Sequence, residues 1–265
     1  MLRFTKMHGL GNDYVYVNCL EYTPEDLPAL ARRVSDRHFG VGGDGLICIC
    51  PSDCADVRMR MFNADGSEGE MCGNGVRCVG KFVYDKGLVK NNPLTVETLG
   101  GIKILDLNVE NGVVTAVTVD MGEPVISPSA TITVKGNDYT VNPISMGNPH
   151  SVVYFPEIEK LNLEDIGPGF ECHPMFPNRT NTEFVEVIDR THLNMRVWER
   201  GSGETLACGT GACAVLAASA SLGLCEREAT VHLLGGDLNI RWSEEDGHIY
   251  MTGPATTVFE GELSE

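Results

Sequence analysis

At 265 residues, with 42% hydrophobic and 22% charged side chains, the chain is sized for one large globular domain or two smaller ones. Its 37 acidic against 20 basic side chains leave a formal charge of −17, which argues against a protein that coats nucleic acid or seeks anionic membranes, since both need a basic footprint. Ten cysteines are too few for a disulfide scaffold, Met1 to Val15 carries no signal pattern, and the soft apolar stretch Ala212 to Cys225 falls short of the ~20 residues that span a bilayer, so the reading is a cytoplasmic protein with reduced thiols.

In chain order, Asp13 to Cys19 reads as a strand, and Thr23-Pro24 as an N-cap with proline in the first turn of a helix running to about Val34. Gly40-Val41-Gly42-Gly43-Asp44-Gly45 looks like a phosphate loop but lacks the Lys-Ser/Thr ending, so it reads as a tight turn before the strand Leu46 to Cys50. A strand at Val57 to Phe62 follows, then a helix from Asn74 to Lys86 closed by Gly87 at C′. Leu94 to Thr98, Ile102 to Val109 and Val113 to Met121 are strands, the last two joined by the hairpin turn Asn111-Gly112. Proline and glycine between Met121 and Pro128 mark a crossover. Beyond it, Phe184 to Ile188 and Leu193 to Trp198 are strands, Gly209 to Leu222 a helix stopped by Gly223, and Thr230 to Leu233, Asp237 to Trp242 and Ile249 to Met251 strands again. The second helix is small and apolar on every face, the mark of a helix enclosed by strands.

The chain repeats itself. Cys72-Gly73-Asn74-Gly75 reappears as Cys208-Gly209-Thr210-Gly211, an offset of 136 (208 − 72) shared by Glu68 with Glu204, Gly11-Asn12 with Gly147-Asn148, and Gly87-Leu88 with Gly223-Leu224. Later matches drift to 135, as in Val96, Leu99, Gly100 and Gly101 against Val231, Leu234, Gly235 and Gly236. Matches in one order with so little drift imply duplication. The fold class is therefore α+β with two pseudo-symmetric domains, each a curved, mostly antiparallel sheet wrapped around a central helix. Residues 1–120 form the Cys72 domain, rejoined by the tail 253–265, and residues 121–252 form the Cys208 domain.

Both repeated cysteines sit at a helix N-terminus, where unpaired N–H groups and the helix dipole favour a thiolate and bind a carboxylate. The glycines allow a ligand close to the backbone. A duplicated pair would face one another across an inter-domain cleft, and two thiols on opposite sides of one carbon could invert it, one taking a proton and the other giving one. The plainer readings are buried structural cysteines or a zinc site. Cys72 with Cys78 is C-x5-C and Cys208 with Cys213 C-x4-C, neither the tight pair of a zinc ribbon, so no metal is expected. The other six cysteines, Cys19, Cys48, Cys50, Cys54, Cys172 and Cys225, read as structural. Among the histidines, His150 stands out by following Gly147-Asn148-Pro149.

Asn63-Ala64-Asp65-Gly66-Ser67 followed by Cys72-Gly73-Asn74-Gly75-Val76-Arg77 resembles the signature of diaminopimelate epimerases. Glu199-Arg200-Gly201-Ser202-Gly203-Glu204-Thr205 with Ala207-Cys208-Gly209-Thr210-Gly211 is similar to that family's second motif, and Lys6 to Asp13 and Ser145 to His150 match two more. The resemblance implies a pyridoxal-independent isomerase that needs no cofactor and interconverts LL- and meso-diaminopimelate in lysine biosynthesis. It implies Cys72 and Cys208 as the acid–base pair, with Glu199 and His150 as catalytic helpers. It also implies substrate contacts from Asn12, Asn63, Asn148, Asn181 and Arg200, and a carboxylate site on the backbone of Gly73, Asn74, Gly209 and Thr210. The implied partners are the small-molecule substrate and a second copy in a homodimer, with neither nucleic acid nor membrane.

The chain departs from the family in two places. Some members carry Gln where this chain has Gly45, and Tyr at a dimer-linked position where it has Phe259. Two alternatives are a related two-cysteine racemase such as proline racemase, whose first motif has His in place of Asn74, and a binding or redox-sensing protein built on a Cys72–Cys208 disulfide. The sensor gives Glu199, Arg200 and the asparagines no reason to accompany the cysteines.

Overall fold

A computed structural model describes residues 1–264. The chain divides into two units, Met1–Val119 joined by the chain from Gly253 on, and Asp120–Thr252.

The first unit runs β1 (Leu2–Gly9), β2 (Asn12–Asn18), α1 (Leu27–Ser35), β3 (Gly45–Cys50), β4 (Val57–Asn63), β5 (Glu68–Gly69), α2 (Gly73–Asp85), β6 (Leu94–Thr98), β7 (Gly101–Glu110) and β8 (Val113–Asp120). The second runs β9 (Val125–Ile126), β10 (Ala130–Val134), β11 (Asn137–Ser145), β12 (Pro149–Tyr154), α3 (Leu163–Glu171), β13 (Asn181–Val187), β14 (His192–Glu199), β15 (Gly203–Thr205), α4 (Gly209–Ser221), β16 (Glu228–Leu233), β17 (Gly236–Trp242) and β18 (Ile249–Pro254). The last strand, β19 (Thr256–Leu263), lies antiparallel to β1.

The pairing scheme is the same in both units. β1–β2 is antiparallel, β2–β3 parallel, β3–β4 antiparallel, β4–β6 parallel and β6–β7–β8 antiparallel. The second unit repeats each step as β11–β12, β12–β13, β13–β14, β14–β16 and β16–β17–β18. The outer partner of β1 is β19, and that of β11 is β10. This is the two-domain, pseudo-symmetric α+β fold, mostly antiparallel with two parallel joints per unit.

Each unit closes on one helix. α2 touches β1, β2, β6 and β7, and α4 touches β11, β12, β13, β16 and β17. Val76, Cys78, Val79 and Val83 of α2 are fully buried, as are Ala212 to Ala217 of α4. Glycines set the closeness of that packing. A Cβ on Gly80 would meet Leu105 and Leu107 at 3.0–3.1 Å, and one on Gly45 would lie 2.1 Å from the Phe62 carbonyl oxygen. The turn Asn111-Gly112 has φ of 53° and 82°, and Gly87 and Gly223 take 69° and 71° after their helices.

Two helices and several strands differ from the sequence reading. The first helix starts at Leu27, capped by Asp26, whose Oδ1 accepts from the Ala29 N–H at 2.9 Å, with Pro28 in the first turn. Thr23 instead donates back to the Cys19 carbonyl at 3.5 Å, so the cap lies three residues later than the sequence suggests, at Asp26, with the first-turn proline at Pro28. α3 forms despite Gly167, Pro168 and Gly169, because tertiary contact outweighs propensity. Gly167 lies so close to the Trp198 indole that a Cβ there would be 2.3 Å away. Strands β1, β10, β11, β12 and β19 went unpredicted; Lys6 interrupts the apolar alternation of β1, and Asn142 and Pro143 that of β11.

Candidate active site

The two repeated cysteines are both helix N-caps. Cys72 (φ −130°, ψ 117°) precedes α2 and Cys208 (φ −116°, ψ 109°) precedes α4, each extended where its helix begins. An N-cap residue faces the first unpaired N–H groups of its helix, and the Cys72 sulfur accepts from the Gly75 N–H at 3.3 Å. A bidentate ion pair braces the approach to each cap. Arg60 grips Glu68 through Nε and Nη2 at 2.7 and 2.9 Å, and Arg196 grips Glu204 at the same two distances. Both pairs tie the long strand to the short one that leads into the cysteine loop.

Around Cys72 the polar neighbours form a partly exposed chain. The Cys72 thiol donates to Asn12 Oδ1 at 3.2 Å, and the Asn12 amide donates to Asp44 Oδ2 at 2.8 Å. Asp44 also accepts from the Asp13 N–H at 3.0 Å, and Arg37 bridges Asp13 and Asp44 at 2.9 and 3.1 Å. Burial raises the Asp13 carboxyl, but Arg37 and Lys6 outweigh it and hold it below its ordinary value. The segment Gly40 to Gly45 thus serves as a turn that presents Asp44. Beneath the cap, the fully buried Arg77 donates to the carbonyls of Gly73 and Pro254 and to Asn74 Oδ1, at 3.3, 3.2 and 3.1 Å. Asn63 ends β4 and donates to Ser67 Oγ at 3.0 Å.

Around Cys208 the neighbours are half-buried to buried and include two carboxyls. Cys208 is 6% exposed, and its sulfur lies 3.6 Å from Thr210 Oγ1. Thr210 accepts from the Asn148 amide at 3.3 Å, and Asn148 Oδ1 lies 3.1 Å from His150 Nε2. His150 Nδ1 lies 2.7 Å from Glu183 Oε1. Glu199 accepts from Thr205 at 2.5 Å. Burial pushes the Cys208 thiol well above its ordinary value, and the Glu199 and Glu183 carboxyls push it further. Burial likewise raises Glu199. Asn181, opposite the end of β14, accepts the Arg200 N–H at 2.8 Å and so fixes the Glu199-Arg200 corner, while the Arg200 guanidinium reaches the Asn178 carbonyl at 3.1 Å.

The folded units thus gather Cys72 with Asn12, and Cys208 with Glu199, His150, Asn148 and Thr210. The guanidinium of Arg200 stands apart from the thiol. Glu183, Thr205 and Asp44 belong to these networks and went unnoticed in sequence. The repeat carried the signal for Glu183, whose counterpart is Ile47: Tyr16 pairs with Ile47 as Val152 pairs with Glu183.

Comparison with known proteins decides the family. The family model for diaminopimelate epimerase matches residues 4–127 and 143–258. The chain belongs to the diaminopimelate epimerase family. It is 58% identical to the diaminopimelate epimerase of Acetivibrio thermocellus, covering 99% of this chain and 98% of that protein. It is 57% identical to that of Methanococcus maripaludis strain C5, with 99% of each covered, and 54% identical to that of Desulfovibrio desulfuricans, with 98% of each covered. Among solved structures, the fold is similar to a Bacillus anthracis phenazine biosynthesis protein of the PhzF family (TM-score 0.78, 20% identity, 100% of this chain and 99% of that one). It is also similar to a probable proline racemase from Agrobacterium radiobacter (TM-score 0.77, 14% identity, 100% and 93%). At those identities only the architecture is shared.

Proposed function

We propose that this chain interconverts LL- and meso-diaminopimelate, by inversion at one α-carbon without an added cofactor, as a step of lysine biosynthesis. The observation that carries the reading is that both repeated cysteines cap the N-terminus of a buried helix, at corresponding points of a duplicated fold. One thiolate removes the α-proton, so that an S–H bond forms, the C–H bond breaks, and the electron pair passes into the substrate carboxylate. The other thiol then gives its proton to the opposite face of the carbon and becomes the thiolate. Backbone N–H groups of Gly73, Asn74, Gly209 and Thr210 hold the carboxylate as negative charge grows on it. Cys208, with its proton held by burial and by Glu199, is the thiol member in the resting state.

Glu199 takes the reacting ammonium, and His150 steadies charge beside Cys208. Asn12, Asn63, Asn148 and Asn181 hold the polar groups of the substrate. The Arg200 fork takes the distal carboxylate, a role suited to its exposed side chain. The protein works in the cytoplasm. It pairs as a homodimer through the face carrying Phe259, which is 45% exposed on β19 and packs edge-on against Phe4 at 5.9 Å.

The test is chiral analysis of LL-diaminopimelate incubated with reduced protein in deuterated water. Meso product carrying one α-deuterium is expected. Absence of exchange overturns the reading, and exchange on proline instead moves the chain to the racemases.

A further inference from the structure

His150 has a partner that the proposed reaction does not use. Glu183 is 0% exposed, on β13, directly against the first turn of α4. Its Oε1 lies 2.7 Å from His150 Nδ1, and Oε2 has no hydrogen-bond partner among the described residues. His150 is 1% exposed and faces Asn148 with its other nitrogen, and Asn148 leads through Thr210 to the Cys208 sulfur.

The duplicated unit supplies an internal control. A Cβ on Gly211 would lie 2.7 Å from Glu183 Oε1, and one on Gly75 would lie 2.7 Å from Ile47 Cδ1. Both side chains therefore occupy the same place against the same helix turn. An isoleucine fills that place in the Cys72 unit without any hydrogen bond, so packing does not call for a carboxylate. Keeping one there is costly, because a buried acid must be desolvated and here one oxygen stays unpaired. The partner of Glu183 differs in the same way. Tyr14 pairs with Gly45 as His150 pairs with Asn181, so Tyr14 is the counterpart of His150. The two units thus differ by an acid and a histidine at corresponding positions, Ile47 and Tyr14 in one unit and Glu183 and His150 in the other.

Resting on the epimerase reading above, we infer that Glu183 is a positioning residue: its buried carboxylate accepts the Nδ1 proton of His150, fixes the ring, and leaves Nε2 as the nitrogen presented to the Asn148–Thr210–Cys208 chain. A carboxylate on one ring nitrogen sets which nitrogen carries the proton and where the ring points. Loss of such a partner in a catalytic histidine pair leaves the geometry in place and the protons misplaced.

Two measurements test this on the intact protein. Glu183→Gln keeps the shape but removes the charge, and kcat falls by about 10²-fold with KM within about two-fold of the wild type. Long-range proton–nitrogen correlation spectra of ¹⁵N-histidine-labelled protein, with His150 assigned by its loss in His150→Gln, show a proton on Nδ1 in the wild type and a redistributed proton in Glu183→Gln. The inference is overturned by a wild-type His150 with bare Nδ1, by a kcat left within about three-fold, or by a loss that falls on KM alone. If Glu183→Gln does not fold, the wild-type spectrum still decides. A wild type that exchanges no diaminopimelate proton overturns the epimerase reading, while the spectrum continues to report on Glu183.

Discussion

Cys72 and Cys208 occupy the same backbone seat in different company. Each caps a thirteen-residue helix, and each is approached through a bidentate Arg–Glu pair of matching geometry. Cys72 meets neutral Asn12, itself tied to the exposed ion-pair web of Asp44, Arg37 and Asp13. Cys208 feels two carboxyls, Glu183 buried and Glu199 half-buried, and is linked through Thr210 and Asn148 to the buried His150. The two units share the helix N-terminus at the cysteine and differ in the polar groups around the thiol. On the Cys208 side, burial and two carboxyls hold the proton on the thiol against the helix dipole.

Removing one thiol breaks the comparison most severely. Cys72→Ala and Cys208→Ala each abolish one proton transfer, so epimerisation falls by about 10⁴-fold in either variant, measured by chiral chromatography. Equal loss is the expected outcome, because inversion needs both faces. A double variant that still turns over would sink the two-thiol reaction.

Glu199→Gln comes next. It removes the acceptor proposed for the reacting ammonium, and kcat/KM falls by about 10²- to 10³-fold. Its stability moves the other way. Burial raises the folded-state carboxyl above its ordinary value of 4.5, so the folded protein holds a proton that the unfolded chain has already released. Stability from this group is therefore full below about pH 4.5 and is lost as pH climbs through the raised value. Calorimetry at neutral pH shows a higher Tm for Glu199→Gln than for the wild type, and the difference closes near pH 4. A lower Tm at neutral pH would mean that Thr205 and Cys208 outweigh burial in stabilising the charged carboxylate.

The visibility of these features in sequence follows the same asymmetry. Backbone requirements leave letters behind. Asn111-Gly112 and the glycines after both helices could be read because only glycine or asparagine tolerates those conformations cheaply, and Cys-Gly-X-Gly because a Cβ on Gly75 or Gly211 would lie 2.7 Å from the side chain packed against it. The fold class followed from their repetition. Glu183 left no such mark, since a glutamate in Asn181-Thr182-Glu183-Phe184-Val185 reads as the solvent-facing residue of an alternating strand. In fact all five are buried, because β13 is covered on both faces. Only alignment of the two halves exposes it, as an acid where the copy has Ile47. Helix α3 was hidden for the opposite reason. Its glycines and proline argue against a helix locally, and their purpose, close approach to Trp198 and Val134, exists only in the folded unit.

The mildest change acts on the Cys72 side. Asp44 holds the Asn12 amide in one sense, with Nδ2 on the carboxylate and Oδ1 on the thiol. In Asp44→Ala the amide is free to turn and offer its NH₂ to sulfur, which favours thiolate over thiol and removes the acceptor that orients the S–H bond. The thiol stays in place because its cap contact with the Gly75 N–H is a backbone feature. The expected loss is therefore about ten-fold in kcat, roughly a tenth of the effect of Glu183→Gln on the other side. Alkylation of Cys72 by iodoacetamide, followed by peptide mass spectrometry, quickens at neutral pH while that of Cys208 is unchanged. Unchanged Cys72 reactivity would show that the helix N-terminus alone governs this thiol, and that the exposed web around Asp44 and Arg37 serves only to close the Gly40–Gly45 turn.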